Sequence, residues 1–181
     1  TAKAKKMMLL LSMLSIAMTF AGLTSAYIVS KSRPDWLKDF ELPFTFVLST
    51  LVIFLSSLSL YISKKKVKVN DVKKTTLWLV VTFILGVVFV VTQFLGFNEL
   101  IGLGYFFTGA QSTITTSFLY VLTVLHLAHL FAGLIVLIVV MVNNIKYKYE
   151  VDKLGFELAV TFWHFLGFLW LYLFVFLYFF R

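Results

Sequence analysis

Three histidines, His126, His129 and His164, lie inside long apolar stretches of the chain. An ionisable side chain in a membrane span costs several kcal/mol unless it finds a partner, so each imidazole marks a candidate functional position. Imidazole is a common axial ligand of haem, and in its neutral form it also hydrogen-bonds to adjacent helices. Haem ligation and helix-to-helix hydrogen bonding are therefore the two chemistries to separate.

The spacing of the histidines argues against a haem held between two of them. His126 and His129 are three residues apart on one helix, so they cannot reach opposite faces of one haem. By helix rise, His126 lies roughly 13 Å inside one membrane surface and His164 roughly 9 Å inside the other, so their depths differ by several ångströms. We interpret the rings as neutral imidazoles hydrogen-bonded to neighbouring helices. A b-type haem anchor of a quinone-linked dehydrogenase is the alternative.

Other catalytic patterns are missing from the sequence. It contains no His-Glu-x-x-His motif, no carboxylate beside a histidine within a span and no phosphate-binding glycine loop. The chain has no cysteine, which excludes disulfides, iron–sulfur clusters and c-type haem attachment. We therefore predict no catalytic residue, no metal site and no cofactor bound by this chain.

Glycine, amide, imidazole and indole positions within the spans follow helical spacing. Small residues allow close helix approach and polar groups bond across helices, so such stripes are typical of helix packing. Because the last stripe is broad and aromatic, we also expect it to contact a partner protein or tightly held lipid. The candidate packing and lipid-contact positions are Gln93, His126, His129, Gly133, Trp163, His164 and Trp170, with Gly86 and Gly167 sharing their faces.

The elements that position these residues are transmembrane helices. The mean hydropathy is +0.97, and 61% of the residues are hydrophobic. Lipid offers the backbone no hydrogen-bond partner, so spanning segments of this kind are helical. The sequence predicts an all-α integral membrane protein, a bundle of five transmembrane helices within a single membrane domain covering residues 1–181. The predicted helices are about 7–29, 44–62, 77–97, 117–142 and 158–180, the first being retained because it exceeds a signal h-region.

Basic residues are distributed unequally between the two membrane surfaces. Twelve of the 16 Lys and Arg residues lie at the N-terminus and in the second and fourth connections. The positive-inside rule then places the N-terminus in the cytoplasm and the C-terminus in the periplasm. We attribute the net charge of +8 to this topology and to lipid headgroups, not to nucleic acid. The second connection is predicted to be a basic hairpin loop that contacts anionic lipid through Lys64, Lys65, Lys66 and Lys68.

In chain order, these features resemble subunit III of haem–copper terminal oxidases in its five-helix bacterial form. The most specific matches are the Trp-His-Phe sequence at residues 163–165, followed by residues 170–174, and the two-histidine pattern at residues 122–129. Residues 20–27, Pro43 with residues 56–57, and residues 86–100 are similar to earlier parts of the family. The resemblance covers essentially the whole chain.

The resemblance implies a non-catalytic subunit of a respiratory oxidase that reduces oxygen to water and pumps protons. Haems and copper would belong to partner subunits, chiefly the catalytic subunit I, and phospholipids would be held by this chain. The implied location is the bacterial inner membrane. The sequence leaves open whether the electron donor is cytochrome c or quinol, and whether the oxidase joins a respiratory supercomplex.

Three positions depart from the family pattern. Ile16 stands where relatives commonly carry a buried glutamate, Gly167 stands where they carry aspartate, and Val124 replaces a glycine. Polar contacts made by those carboxylates in relatives cannot be transferred to this chain. We therefore expect a scaffold more than a proton carrier.

Because the chain has no native cysteine, single cysteines can test the predicted orientation. We expect Ser32→Cys, in the first connection, to react with a membrane-impermeant thiol reagent added outside intact spheroplasts. Asp71→Cys, in the second connection, should react only after the membrane is opened. The reverse pattern would invert the topology.

Overall fold

The computed structural model describes residues 2–34, 44–102, 114–146 and 154–179. In these ranges the chain forms five α-helices and no strand. Each helix contains a stretch long and apolar enough to cross a membrane, so the predicted all-helical, five-span architecture is confirmed. The helices are α1 (Ala2–Ser30), α2 (Phe44–Lys68), α3 (Val72–Gly102), α4 (Ile114–Ile145) and α5 (Leu154–Phe179).

Most helix ends lie beyond the predicted apolar stretches. Helix α2 continues to Lys68 instead of ending near residue 62, and α3 begins at Val72 instead of near residue 77. Hydropathy marks the part of a helix that lies in hydrocarbon, whereas lysine and threonine can continue a helix into the headgroup region. The predicted basic hairpin loop is therefore wrong in its conformation. Its lysines Lys64, Lys65, Lys66 and Lys68 all belong to the last two turns of α2.

A three-residue turn joins α2 to α3. Asn70 adopts a left-handed conformation with φ 57°, and its N–H donates to the carbonyl of Val67 at 3.1 Å. The N–H of Asp71 donates to the carbonyl of Lys66 at 3.2 Å, so the two bonds form a Schellman motif at the end of α2. The Asp71 carboxylate then accepts from the N–H of Lys74 and caps α3. The short turn makes α2 and α3 an antiparallel pair.

Hydroxyl groups bond α2 to α3 along the length of this pair. Ser49 donates to the Thr92 hydroxyl at 2.7 Å, and the hydroxyls of Ser59 and Thr82 lie 2.6 Å apart. Near the turn, Ser63 donates to the carbonyl of Thr75 at 3.2 Å. The residue numbers rise in α2 as they fall in α3, which confirms the antiparallel arrangement. Three serines of α2, Ser49, Ser59 and Ser63, therefore have hydrogen-bond partners in α3.

Helices α3, α4 and α5 complete the core, and α1 lies at its edge. Asn144 of α4 donates to the Thr76 hydroxyl of α3 at 2.8 Å. In the most apolar window of α1 only 11% of the residues are buried, against 33–44% in the other four helices. Its contacts with the bundle include a 3.0 Å hydrogen bond between the Thr24 and Tyr172 hydroxyls. Most of the surface of α1 is therefore open to lipid or to another protein.

The hydroxyl pairs should contribute measurably to stability. We expect Ser59→Ala to lower the unfolding free energy in detergent by about 0.6–1.7 kcal/mol, because it leaves the buried Thr82 hydroxyl without its interhelical partner. Ser12→Ala is the matched control, since the hydroxyl of exposed Ser12 bonds within its own helix, to the Met8 carbonyl. Equal effects of the two substitutions would contradict a role for the pair.

Candidate functional site at the helix-packing centre

The indole of Trp163 occupies the centre of the bundle. Its side chain is 1% exposed and lies between Gly86 of α3 and Gly133 of α4. A Cβ atom at Gly86 would lie 2.8 Å from Trp163 Cη2, and one at Gly133 would lie 3.2 Å from Trp163 Cε3. Both approaches are closer than ordinary carbon contacts, so the two glycines provide the space that the indole fills. This contact explains why the sequence carries glycine at these two helical positions.

The polar edge of Trp163 faces a third helix. Its Nε1–H donates to the hydroxyl of Ser56 in α2 at 3.1 Å, and Ser56 itself donates to the carbonyl of Ile53 at 2.6 Å. A buried indole N–H requires an acceptor, and a serine hydroxyl can accept while donating to its own helix. Trp163 therefore connects α5 to α2, α3 and α4 at once.

Trp170, two turns further along α5, repeats the bond to α2. Its Nε1–H donates to the hydroxyl of Thr50 at 3.1 Å. The ring packs edge-on against Phe89 of α3 with centroids 5.2 Å apart and lies 6.1 Å from Phe46 of α2. Both tryptophans thus fasten α5 to hydroxyl groups of α2.

His126 connects α4 to α5 from within the same aromatic cluster. Its side chain is fully buried, and its Nε2 lies 3.0 Å from the carbonyl oxygen of Leu166. A carbonyl only accepts, so Nε2 carries the proton, and the buried Nδ1 has no hydrogen-bond partner among the described residues. The ring lies 5.2 Å from Trp170 and 5.8 Å from Phe89. This is the interhelical imidazole bond that the sequence predicts.

The other two histidines have different surroundings. His129 donates through Nδ1–H to the carbonyl of Leu125, 2.7 Å away in its own helix, instead of reaching another helix. Its ring packs edge-on against Phe20 of α1 at 5.7 Å. His164 is half-buried at the boundary of α2 and α5, beside Ser57 and Gly167. The structure therefore does not bring the three imidazoles together.

Gln93 is also part of the buried face of α3. It is completely buried, and neither of its amide atoms has a hydrogen-bond partner within the described ranges. It lies one turn beyond Phe89, whose ring contacts both His126 and Trp170. Sequence patterns identified Gln93, Trp163, Trp170 and the histidines as packing positions, but they did not identify Thr50, Ser56 and Phe89 as partners of the two tryptophans.

At the C-terminal end of α2, Lys64, Lys65, Lys66 and Lys68 form a cationic cluster. Lys65 extends over the ring of Tyr61, with Nζ 4.8 Å from the ring centroid. Lys64 borders a cavity of about 460 Å³ that is also lined by Lys6 of α1 and Glu157 of α5. Cations in the last turn are favourable at the negative end of the helix dipole. The cavity combines these charges with leucine and methionine side chains.

No group of three or more His, Cys, Asp or Glu side chains in the described ranges could hold a metal ion. The hydrogen bonds of the central rings run from helix to helix. The fold and its packing centre thus define a polytopic membrane protein built as a helical bundle.

Comparison with known proteins assigns this bundle to a family. Residues 2–181 match cytochrome c oxidase subunit III. The chain belongs to this family, as its sequence resemblance predicts.

Three relatives illustrate the range of the match. Cytochrome c oxidase subunit 3 of Bacillus sp. (strain PS3) is 30% identical over 166 residues, which cover 88% of this chain and 77% of the relative. The protein of the same name from Thermostichus vulcanus is 28% identical, covering 94% and 84%. Cytochrome bo(3) ubiquinol oxidase subunit 3 of Buchnera aphidicola subsp. Baizongia pistaciae is 33% identical over 135 residues, covering 73% and 67%. The chain is thus similar to subunits of both cytochrome c and quinol oxidases.

Membership of this family makes the chain a subunit III of a respiratory haem–copper oxidase and therefore part of a terminal oxidase complex. The alternative of a b-type haem anchor for a dehydrogenase has no support in these relationships. Family and fold together establish a multi-pass membrane protein.

The close contact of Gly86 with Trp163 can be tested by a single methyl group. We expect Gly86→Ala to lower the unfolding free energy in detergent by about 1–3 kcal/mol, because its Cβ would approach Trp163 and Leu134 to 2.8 Å. Gly22→Ala is the control, since no other element in the described part of the chain comes within 4 Å of a Cβ at that exposed helical position. A neutral effect of Gly86→Ala would contradict the tight packing.

Proposed function

We propose that this chain is a non-catalytic subunit that packs beside the catalytic subunit I of a terminal oxidase in the bacterial inner membrane. The observation that carries the proposal is the use of the ring donors at the centre of the bundle. The N–H groups of Trp163, Trp170 and His126 all donate to other helices of this chain. Groups engaged in this way support a structural role and leave the oxidation chemistry to other subunits.

The histidines of this chain do not fit a haem held between two of them. His126 uses Nε2 for the bond to Leu166, and its Nδ1 is enclosed by the bundle. The His129 ring packs beside α1, whereas His164 lies at the boundary of α2 and α5. The rings therefore face different neighbours. We expect the haems and copper of the enzyme, and the reduction of oxygen to water with proton pumping, to belong to partner subunits.

The lysine-rich end of α2 is the proposed contact with anionic phospholipid. Lys64 and Lys6 border a cavity of about 460 Å³ that is also lined by Leu9, Leu10 and Met13, and these two lysines outnumber the Glu157 carboxylate in the same lining. This combination of cations and apolar side chains is complementary to a phosphate headgroup and the start of its acyl chains. Lys65, Lys66 and Lys68 extend the positive surface around the end of the helix. In the predicted orientation, this surface faces the cytoplasm.

Shielding is the proposed mechanism by which the subunit supports the enzyme. A rigid bundle beside the catalytic subunit would exclude bulk lipid from that flank and hold ordered phospholipid there. Its cytoplasmic lysines would shape the potential at the surface where protons enter. Both effects would act on the environment of the redox centres without this chain contacting them.

Removal of the subunit tests this role. Oxidase prepared without this chain should retain its haem absorbance spectrum but lose activity sooner during turnover. The measurement is oxygen consumption followed to inactivation, alongside the spectrum of the same preparation. Adding back the purified chain should restore the longer lifetime. Loss of the haem signal on removal, or an unchanged lifetime, would contradict the proposal.

A further inference from the structure

A groove runs along the membrane-facing boundary of α2 and α5. It contains a hollow of about 180 Å³ that opens toward the membrane. Phe168, at its rim, is 71% exposed, and Phe54 on the opposite side is 62% exposed. We define the α2–α5 groove by Thr50, Ile53 and Ser57 of α2 and His164, Gly167 and Phe168 of α5.

Two polar groups in this groove lack hydrogen-bond partners among the described residues. Neither the Ser57 hydroxyl nor the His164 ring forms a hydrogen bond with any described residue. Ser57 lies seven residues before Lys64, and His164 lies seven residues after Glu157, so each lies roughly 10 Å inside the charged end of its helix by helix rise. The acyl chains that meet the bundle at this depth offer no hydrogen bond. The unpaired groups therefore call for a polypeptide that brings polar atoms into the membrane.

The floor of the groove permits such an approach. At Gly167 an added Cβ would lie 3.1 Å from Ser57 Oγ and 3.9 Å from Ile53 Cγ1. Glycine beside serine forms the kind of small-residue surface on which transmembrane helices pack closely. The hollow between the exposed rings of Phe54 and Phe168 can receive a side chain from that helix.

Charge indicates what the incoming helix should carry. Lys64 lies near enough to His164 to act on it electrostatically, so the groove has a positive potential toward the lysine-rich end of α2. The imidazole N–H in the groove adds a donor. A carboxyl or amide oxygen is complementary to both features.

We propose that the α2–α5 groove is the docking site for a transmembrane helix of another oxidase subunit, which places a carboxyl or amide side chain against His164. The docking site rests on the proposed function, because it takes its partner from the same complex. One of the membrane-facing surfaces of this chain is thereby assigned to the interface between subunits.

Photo-crosslinking in the assembled oxidase tests the docking site. The photoreactive residue p-benzoylphenylalanine is placed at Phe168 and, as a matched control, at Val91 of α3, which is 51% exposed. Val91 is five residues beyond Gly86, and Phe168 is five residues beyond Trp163. Because Gly86 contacts Trp163 and α3 and α5 run in the same direction, the two probes lie at similar depth.

We expect the probe at Phe168 to form a covalent adduct with another polypeptide of the complex, and the probe at Val91 to label lipid. His164→Phe should lower the yield of the polypeptide adduct about three- to tenfold, because it removes an interhelical hydrogen bond. His164→Gln, which keeps a donor, should restore most of the yield. Ser12→Ala, on exposed α1, should leave it unchanged.

The outcomes separate this proposal from the proposed function. If the chain does not co-purify with the haem-containing subunits, the proposed function fails. If it co-purifies but the Phe168 probe labels only lipid, or labels polypeptide no more than the Val91 probe, the docking site is overturned. An adduct that is insensitive to His164→Phe would overturn the hydrogen bond as the basis of recognition.

Discussion

The structure depends on one constraint: inside the hydrocarbon layer, polar side chains have to find their partners within protein. The bonds between helices follow from it. Serine and threonine hydroxyls pair α2 with α3, indole N–H groups bond α5 to α2, and an imidazole bonds α4 to α5. The two groups of each bond lie at matching depth. Together the bonds therefore specify the order and register of helices whose outer surfaces are similarly apolar.

Close packing reinforces these bonds around Trp163. Without a hydrophobic force between helices in lipid, association relies on van der Waals contact and hydrogen bonding. The indole satisfies both requirements, since its faces lie against Gly86 and Gly133 and its N–H bonds to Ser56. A residue that contacts three other helices is suited to hold a bundle rigid. Such rigidity suits the supporting role proposed for this subunit.

The same constraint distinguishes the inside of the bundle from its candidate interfaces. The ring donors of Trp163, Trp170 and His126 have partners within the chain, whereas Ser57 and His164 face the membrane without one in the described ranges. The lysine-rich end of α2 has a third kind of environment, because cations at the membrane surface meet headgroups and water. Anionic lipid and a partner helix are therefore expected at different places on one subunit, each where its chemistry matches the groups presented.

The sequence by itself determined the number of spanning helices, their approximate positions and the family, because apolar length and local motifs are properties of contiguous residues. It identified Trp163, Trp170 and His126 but not their acceptors. The prediction of a loop at the lysines of residues 64–68 was wrong, because hydropathy does not report where a helix ends. Only the tertiary structure decided that Thr50, Ser56 and Leu166 receive those hydrogen bonds. Each acceptor lies on a different helix from its donor, and the pairing depends on the register and rotation of the helices, which the hydropathy of a span does not encode.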